Sequence, residues 1–486
     1  MKKQMGVLCH VTSVPSDYGV GDFGRSSFEF IDFLAENNLK VWQILPLNET
    51  NIYNCPYAST CYFSYEECLV DPEALLNAKL ISEKDLKTLR KLAKTKKVKF
   101  DIVKKEKAKI LEIAFGNLDK DAIAEVEAYI KKCPWVKEYA YFKTLLEKFG
   151  TSNWREVPKE YWHKKNDAYQ TFMKENHLDI LMHAYFQYLL HSQWQTVRKY
   201  AKSKGVTILG DLPIYPDPNS YDVFANPEAY KLDKQTLEPL VTGGVPSDEF
   251  CDEGQNWQTC VYDWEYLKTK NYKYMIDKFN LLLSKYDILR LDHFFGYTEH
   301  YEWNAKKPGK GKWVKQDGPG FFTIVNEKCN MKKFVIEDLG LKKVTANKVR
   351  KDFSLKGMCV VQMIMETKKN LQYLPQNVPE DCLYYLGTHD NSTFMGYLKK
   401  HISKKEKIEF CKHMGIEKKG DKYIHLECIR KMLASKANTV ILQIQDLLLQ
   451  GDKDRMNTPG QAAGWWEYRV PKNYKTKAKQ TLTLVR

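Results

Sequence analysis

The sequence predicts an α/β fold, a (β/α)8 TIM barrel. Eight short apolar runs rich in β-branched and aromatic residues recur along the 486 residues. Several are followed by a loop and then by apolar residues at helical spacing, as in 28–36, and a helical pattern also precedes the fourth run at 272–283. Strands that alternate with helices are typical of parallel α/β folds, and eight such strands favour a closed barrel. A doubly wound sheet is the second interpretation, because sequence alone does not show closure.

The elements are assigned in chain order. The predicted strands are 6–9, 41–45, 206–209, 288–291, 334–336, 358–365, 383–386 and 440–444. The interval from 45 to 206 is far longer than the roughly thirty residues of a plain βαβ unit. Within it, 71–198 has helical periodicity and predicts a helical insertion subdomain, in which Ser82 and Asp85 fit a helix cap.

The barrel is therefore expected to comprise residues 1–70 and 199–486, on either side of the insertion. Within the second part, 213–265 is rich in Pro, Asp, Gly and aromatic residues. This composition predicts a long ordered loop subdomain over the C-terminal face of the barrel.

The composition is that of a globular protein, with 43% hydrophobic and 13% aromatic residues. A net charge of +15 suggests nucleic acid as a partner. However, the lysines are spread along the chain, and the enriched region 84–109 mixes them with apolar and acidic residues, as a solvated helix face does. We therefore expect no nucleic-acid partner.

Cysteine usage and the apolar runs bear on the compartment. The twelve cysteines form no CxxC pair and no Cys/His cluster at zinc spacing, which indicates reduced thiols. No apolar run has the length of a signal peptide or a membrane span. These patterns predict a soluble cytoplasmic protein without a membrane partner, and they leave the oligomeric state open.

Carboxylates follow several predicted strands at the same end. Asp292 comes after the fourth strand, Glu337 after the fifth and Asp390 after the seventh, and Asp211 follows the third. In a parallel barrel all of them lie at the C-terminal mouth. Acids crowded in one cleft repel each other, so at least one is expected to keep its proton near neutral pH. One protonated acid beside one ionised carboxylate is what glycoside cleavage needs; the alternative is a set of separate loop caps and surface acids.

Neighbouring residues fit the same site. Arg290 lies two residues before Asp292, which in a strand places both side chains on one face, where the arginine keeps the acid ionised. His293 and His389 are candidates for hydrogen bonds to sugar hydroxyls. Each of these three residues also has a purely structural interpretation. A metal site built from the acids and histidines is the rival hypothesis, but no local spacing requires one.

Motifs for other chemistries are missing from the sequence. It contains neither a GxxxxGK[ST] loop nor a GxGxxG turn between a strand and a helix, so a nucleotide cofactor lacks support. It also lacks the GxSxG elbow of serine hydrolases.

The motifs, taken in order, resemble those of the 4-α-glucanotransferases of glycoside hydrolase family 77, the amylomaltases or disproportionating enzymes of the α-amylase clan. The matching segments are 8–16 (LCHVTSVPS), 18–24 (YGVGDFG), 42–47 (WQILPL), 210–214 (GDLPI), 244–248 (GVPSD), 254–257 (GQNW), 290–294 (RLDHF), 337–340 (EDLG), 387–391 (GTHDN) and 455–460 (RMNTPG). The resemblance spans most of the chain and is weakest in the helical insertion.

The resemblance implies a retaining mechanism and a role for each matching residue. Asp292 is expected to be the nucleophile, Glu337 the general acid/base and Asp390 the acid that stabilises the transition state. Arg290 and His389 are expected to support them. The remaining residues expected to bind substrate are Tyr57 on the donor side, Asp248 and Trp257 in a loop over the acceptor side, and Asp211, His293 and Asn391 beside the catalytic acids. The resemblance implies no metal or organic cofactor.

The chain departs from the family pattern mainly at positions that contact sugar. The departures are Asn54 and Ala58 around Tyr57, Thr259 after Trp257, Phe295, the segment 301–304, Gln376, and Ser392 where the pattern has a second aspartate in His-Asp-Asn-Asp-Thr. They leave open the glucan length, the acceptor and the ratio of transfer to hydrolysis.

Three functions follow from the sequence. The first is a transferase that moves α-1,4-glucan segments between maltooligosaccharides through a covalent glycosyl-enzyme. The second is a retaining α-glucan hydrolase, or a transferase with altered donor or acceptor. The third is a glycan-binding protein without catalysis, which the three intact acids disfavour.

Overall fold

Eight short parallel strands form the centre of the protein. They are named β1 to β8 in chain order and are Gln4–Leu8, Val41–Gln43, Thr207–Leu212, Ile288–Leu291, Phe334–Ile336, Gly357–Val360, Cys382–Tyr385 and Thr439–Gln443. The structure is a computed structural model that describes residues 3–162, 166–246, 254–307, 309–340, 344–365, 370–417, 419–461 and 463–486.

The strands close into a barrel. From β1 to β5 and from β6 to β8 each strand pairs in parallel with the next, and β8 pairs with β1. Between β5 and β6 the contact is a parallel bridge from Val335 to Lys356, and the N–H of Ile336 donates to the carbonyl of Lys356 at 2.8 Å. The predicted (β/α)8 barrel is therefore confirmed, and the doubly wound alternative is wrong.

The strands form where they do because both of their faces are buried. Val7, Trp42, Leu289 and Ile336 are fully buried, as is usual for a parallel sheet covered by helices. All eight predicted runs coincide with barrel strands. The sixth was predicted to extend to Met365 but ends at Val360, where a 3-10 turn follows. Because the apolar residues continue beyond the strand and remain buried, hydrophobicity alone does not predict where the strand ends.

Helices surround the barrel and fill the long interval between β2 and β3. The α-helices are Arg25–Glu36, Pro72–Asn77, Lys87–Leu92, Phe100–Gly116, Lys120–Lys132, Pro134–Phe149, Asp167–Glu175, His177–Ser203, Tyr221–Ala225, Trp264–Thr269, Lys273–Lys285, Gly318–Lys328, Val344–Asp352, Phe394–Gly396, Lys404–Met414, Asp421–Ala434, Ile444–Leu447 and Tyr474–Val485. Short 3-10 turns used below are Phe294–Tyr297, Val361–Ile364 and Asp452–Asp454.

The segment between β2 and β3 packs onto the barrel through its last helix, His177–Ser203. The indole N–H of Trp194 on this helix donates at 2.9 Å to the carbonyl of Lys285, just before β4. The helix cap predicted at Ser82 is confirmed, because its N–H and hydroxyl both donate to Asp85. Such caps satisfy N–H groups that a helix start leaves unpaired.

A second, antiparallel sheet lies in the connections that follow β3 and β4. Its strands, in spatial order, are Gly311–Lys315, Glu299–Asn304, Val241–Val245 and Gln255–Cys260. The described part of 213–265 is thus partly a sheet, where the sequence predicted a loop. Its strands are polar and rich in glycine, so the pattern of alternating burial that marks a strand is weak. Two further strands, Glu49–Thr50 and Ser59–Cys61, flank the loop that carries Tyr57.

Two other findings concern cysteines and helices. Every cysteine that the structure describes is a free thiol. Across the described ranges, none of the helices has both the length and the apolar character that crossing a membrane requires.

Replacing Gly210 with alanine is expected to destabilise β3. A Cβ atom added there would lie 2.2 Å from Cγ of Tyr286, whose ring packs against the glycine. Overpacking of this kind costs about 1–3 kcal/mol, so the midpoint of thermal unfolding should fall. The control is Gly116→Ala, at the end of a helix, where an added Cβ meets nothing within 4 Å. An equal fall in both variants would contradict this account.

Candidate active site

The carboxyl ends of the barrel strands gather the predicted acids. Asp292 directly follows β4, Glu337 directly follows β5, and Asp390 lies a few residues beyond β7. Asp211 was predicted to follow the third strand but lies within β3, which extends to Leu212. Because all the strands are parallel, these ends face the same mouth of the barrel.

Arg290 joins two of these acids inside the barrel. Its Nη1 atom lies 2.9 Å and 2.8 Å from the two carboxylate oxygens of Asp211, and 2.8 Å from Oδ1 of Asp292. The Asp211 side chain is fully buried, whereas that of Asp292 is 23% exposed. Arg290 therefore holds one structural carboxylate below the mouth and one accessible carboxylate within it.

The strand register explains why the arginine meets both acids. Asp211 of β3 is the register partner of Arg290 on β4, and in-register residues of parallel neighbours project to the same side. Asp292 lies two residues beyond Arg290 and projects to that side as well. Nε of Arg290 is 3.4 Å from Sδ of Met358 on β6, the second strand beyond β4.

Tyr57 connects Asp211 with the opposite side of the mouth. Its hydroxyl donates to Asp211 at 2.7 Å, and its ring stacks on that of His389, with centroids 4.9 Å apart and planes at 7°. Trp466 packs against both rings. Tyr57 is partly exposed beside the acids, whereas His389 and Trp466 are buried behind it, so Tyr57 carries the aromatic surface that suits an apolar sugar face.

Asp390 is surrounded by hydrogen-bond donors. Nε2 of His389 lies 3.2 Å from one carboxylate oxygen, and the side-chain amide of Asn457 donates to the other at 2.7 Å. The guanidinium of Arg455 donates to the Asp390 carbonyl at 2.6 Å. Burial alone raises the pKa of Asp390, but the charge of His389 and the bonds from His389 and Asn457 lower that pKa well below its usual range. Asp390 is thus a permanent anion.

Glu337 is held by the backbone rather than by a cation. The N–H of His293 donates to Oε2 at 3.0 Å, and the N–H of Leu339 donates to Oε1 at 2.9 Å. His293 has a φ of 43°, in the left-handed region, and this conformation accompanies the turn of its N–H toward Glu337. Glu337 is therefore fixed in orientation without an ion pair among the contacts that the structure shows for its side chain.

Asp292 and Glu337 differ in proton affinity. Burial is the main cause that raises the pKa of Glu337; the charge of Arg290 opposes this and that of Asp292 adds to it, and the resulting pKa is about 7. Burial also raises the pKa of Asp292, but Arg290 opposes this directly, and the result is about 6. Between these values Asp292 is an anion while Glu337 keeps its proton, which is the pairing expected of a nucleophile and an acid.

Two other predicted residues, Trp257 and Asn391, lie at the edge of this group. The ring of Trp257, on the strand Gln255–Cys260, packs edge-to-face on the ring of His293 at 4.9 Å. The side-chain oxygen of Asn391 accepts bonds from the N–H and hydroxyl of Thr388, so it shapes the turn that presents Asp390. Asp248 lies outside the described residues.

Sequence reasoning missed partners supplied from the far end of the chain. Asn457 and Arg455 belong to a matching motif but received no role, and Trp466 was not considered. A signal existed for the first two, because this polar segment follows β8 and so lies at the same mouth. Among the described residues, no group of three or more histidines, cysteines or acids is arranged to hold a metal ion.

Comparison with known proteins identifies close similarity over the whole chain. The family model described as 4-alpha-glucanotransferase matches residues 9–475. A 4-alpha-glucanotransferase of Aquifex aeolicus is 34% identical over 97% of this chain and 96% of the relative, and one of Clostridium butyricum is 34% identical over 96% of each. Amylomaltase from Streptococcus agalactiae, solved in complex with acarbose, superposes with a TM-score of 0.94 at 30% identity, covering 100% of this chain and 99% of that one.

Arg290→Gln is expected to destabilise the protein strongly. Asp211 would be left as a buried carboxylate without its cation, and breaking such a pair costs about 3–5 kcal/mol. The measurement is the thermal unfolding midpoint of Arg290→Gln, Asp211→Asn and the double variant, in which the second substitution should recover part of the loss. Arg25→Gln, which breaks an exposed ion pair with Glu29, is the control and should change little. Losses that simply add would show that the two residues do not interact.

Proposed function

Because this chain belongs to the 4-alpha-glucanotransferase family, we propose that it moves α-1,4-glucan segments from a donor maltodextrin to the 4-hydroxyl of an acceptor glucan or glucose. The observation that carries the proposal at this site is the difference between Asp292, Glu337 and Asp390. They have the same chemical group, but one is held by an arginine, one by backbone N–H groups and one by a histidine and an amide. Three carboxyl groups with different partners can take different roles, as a retaining glycosyl transfer requires.

In the first step, Asp292 attacks the anomeric carbon of the donor. The glycosidic bond breaks, and Glu337 gives its proton to the departing 4-oxygen. The product is an ester between the glucan and Asp292, with Glu337 now ionised. Arg290 supports this step because it keeps Asp292 ionised and oriented before the attack.

In the second step, the 4-hydroxyl of the acceptor attacks the same carbon and gives its proton to Glu337. The ester bond breaks, and Asp292 is released as a carboxylate. Two inversions restore the original configuration, so the new bond is α-1,4. Asp390, as a permanent anion, binds sugar hydroxyls and stabilises the positive charge that develops in each transition state.

The aromatic residues are proposed to position the sugars. Tyr57, backed by the stacked ring of His389, contacts the sugar on the donor side, and Trp257 contacts it on the acceptor side, where it packs against His293. An acceptor site that excludes bulk water favours transfer over hydrolysis. We assign this exclusion to the segment 245–262, which contains both Trp257 and Asp248. The maltooligosaccharide class of substrate also agrees with the acarbose complex of the S. agalactiae amylomaltase.

With maltotriose as the only substrate, we expect glucose and a ladder of longer maltooligosaccharides. The measurement is product analysis by chromatography over time. Asp292→Asn should lose turnover, because the amide cannot form the ester. It should still bind maltotriose in calorimetry.

The same assay separates the other two functions. Products that are only shorter than maltotriose would indicate a hydrolase. Equal, negligible turnover in the wild-type protein and Asp292→Asn, with binding in both, would indicate a glycan-binding protein and would sink the proposal.

The pH dependence of kcat/KM should be bell-shaped, with its maximum between the pKa of Asp292, about 6, and that of Glu337, about 7. Activity falls at lower pH because Asp292 becomes protonated and cannot attack. It falls at higher pH because Glu337 loses the proton that the leaving oxygen needs.

Glu337→Gln tests this assignment. Its kcat should fall by about 10²–10⁴, the usual contribution of general acid–base catalysis. Its remaining activity should lack the alkaline limb of the profile. A wild-type profile that keeps rising far above the pKa of Glu337 would contradict the assignment.

A further inference from the structure

Ser392 and Asp452 form a contact that distinguishes this chain from the family pattern given above. The pattern has an aspartate at the position of Ser392. Here the Ser392 hydroxyl donates to Oδ1 of Asp452, whose other oxygen lies 2.8 Å from Nε2 of His401. Ser392 is 5% exposed and the Asp452 side chain 17% exposed, so this is an internal contact and not a sugar-binding surface.

We infer that Asp452 is a positioning residue for Asp390 and that it carries the carboxylate which the family pattern places at 392. The inference rests on the proposed function, because it concerns the acid that stabilises the transition state. It assigns Asp452 no contact with the sugar. Asp452 affects the position of Asp390 through segment 452–457, of which it is the first residue.

That segment leads directly to the groups that hold Asp390. The turn Asp452–Asp454 is followed by Arg455, which donates to the Asp390 carbonyl at 2.6 Å, and by Asn457, which donates to the Asp390 carboxylate at 2.7 Å. The Nε of Arg455 also donates to the Asn457 carbonyl. Ser392 lies two residues beyond Asp390. The two segments 390–392 and 452–457 are therefore joined by hydrogen bonds at three points, and the Ser392–Asp452 bond is the one at the start of the second segment.

Ser392 and Asp452 are closely packed against Gly396. A Cβ added to Gly396 would lie 2.4 Å from Oδ1 of Asp452 and 2.6 Å from the Ser392 hydroxyl oxygen. An aspartate at 392 would bring a second negative charge against Asp452 in this confined space, and like charges at contact distance repel. A carboxylate on either segment accepts a hydrogen bond from a hydroxyl on the other, whereas two ionised carboxylates have no donor between them.

The experiment is a reciprocal exchange. Ser392→Asp pairs two carboxylates, and Asp452→Ser pairs two hydroxyls, so both single variants should weaken the contact between segments 390–392 and 452–457. The double variant Ser392→Asp/Asp452→Ser restores one carboxylate and one hydroxyl with the order reversed. All are assayed for transfer from maltotriose and for thermal unfolding.

We expect each single variant to lose about tenfold or more in kcat, since small displacements at a reacting centre are costly. KM should change much less, because Asp390 acts mainly in the transition state. The double variant should recover kcat to near the wild-type value. A merely structural contact would lower the unfolding midpoint without this selective loss in kcat.

Asp454→Ser is the matched control. It removes a carboxylate from the same turn, and in the described part of the chain that carboxylate makes no hydrogen bond, so kcat should not change. Single variants with unchanged kcat, or a double variant whose loss is the product of the two single losses, would overturn the inference while leaving the proposed function intact.

Failure of the proposed function has a different signature. If the wild-type protein made no transfer products, that function and the positioning role would both fall. Coupling between the two substitutions in the unfolding midpoint would then report only the physical contact.

Discussion

The guanidinium of Arg290 lies inside the barrel with only 3% of the residue exposed, so its charge has to be balanced within the protein. Desolvating an ion costs several kcal/mol, and the attraction to carboxylates must offset that cost. Asp211 provides the fully buried partner and Asp292 the accessible one. The buried charge of Arg290 therefore fixes the position of Asp292, and Tyr57 is fixed in turn through Asp211.

The site uses environment to give three identical groups different properties. Burial deprives Glu337 of water and favours its protonated form, although its backbone donors by themselves favour the anion. Asp390 has a histidine and an amide, which favour the anion. Asp292 lies between these cases because burial and Arg290 oppose each other. The chemistry thus depends on the partners of each acid, and these partners come from β4, from the turns after β4, β5 and β7, and from the segment after β8.

The sequence could predict the features that depend on residues near each other in the chain, but not those that depend on contacts between distant segments. The eight strands were predictable because each is a local apolar run, and so were the acids that follow them. The antiparallel sheet after β3 and β4 was not, because its pairing joins segments that are polar and far apart in the chain. Asn457 belongs to a family motif, but only its bond to Asp390 in the structure reveals a role. Ser392 was expected near sugar and is instead buried against Asp452.

The sequence by itself determined the barrel, the set of candidate acids and, through its motifs, the family. Local patterns suffice for these because strand burial, strand ends and motif order are all properties of neighbouring residues. Only the tertiary structure decided which acid has which proton affinity and what holds it in place. Those properties depend on desolvation and on charges within a few ångströms, and residues from opposite ends of the chain meet at that distance only after the barrel has closed.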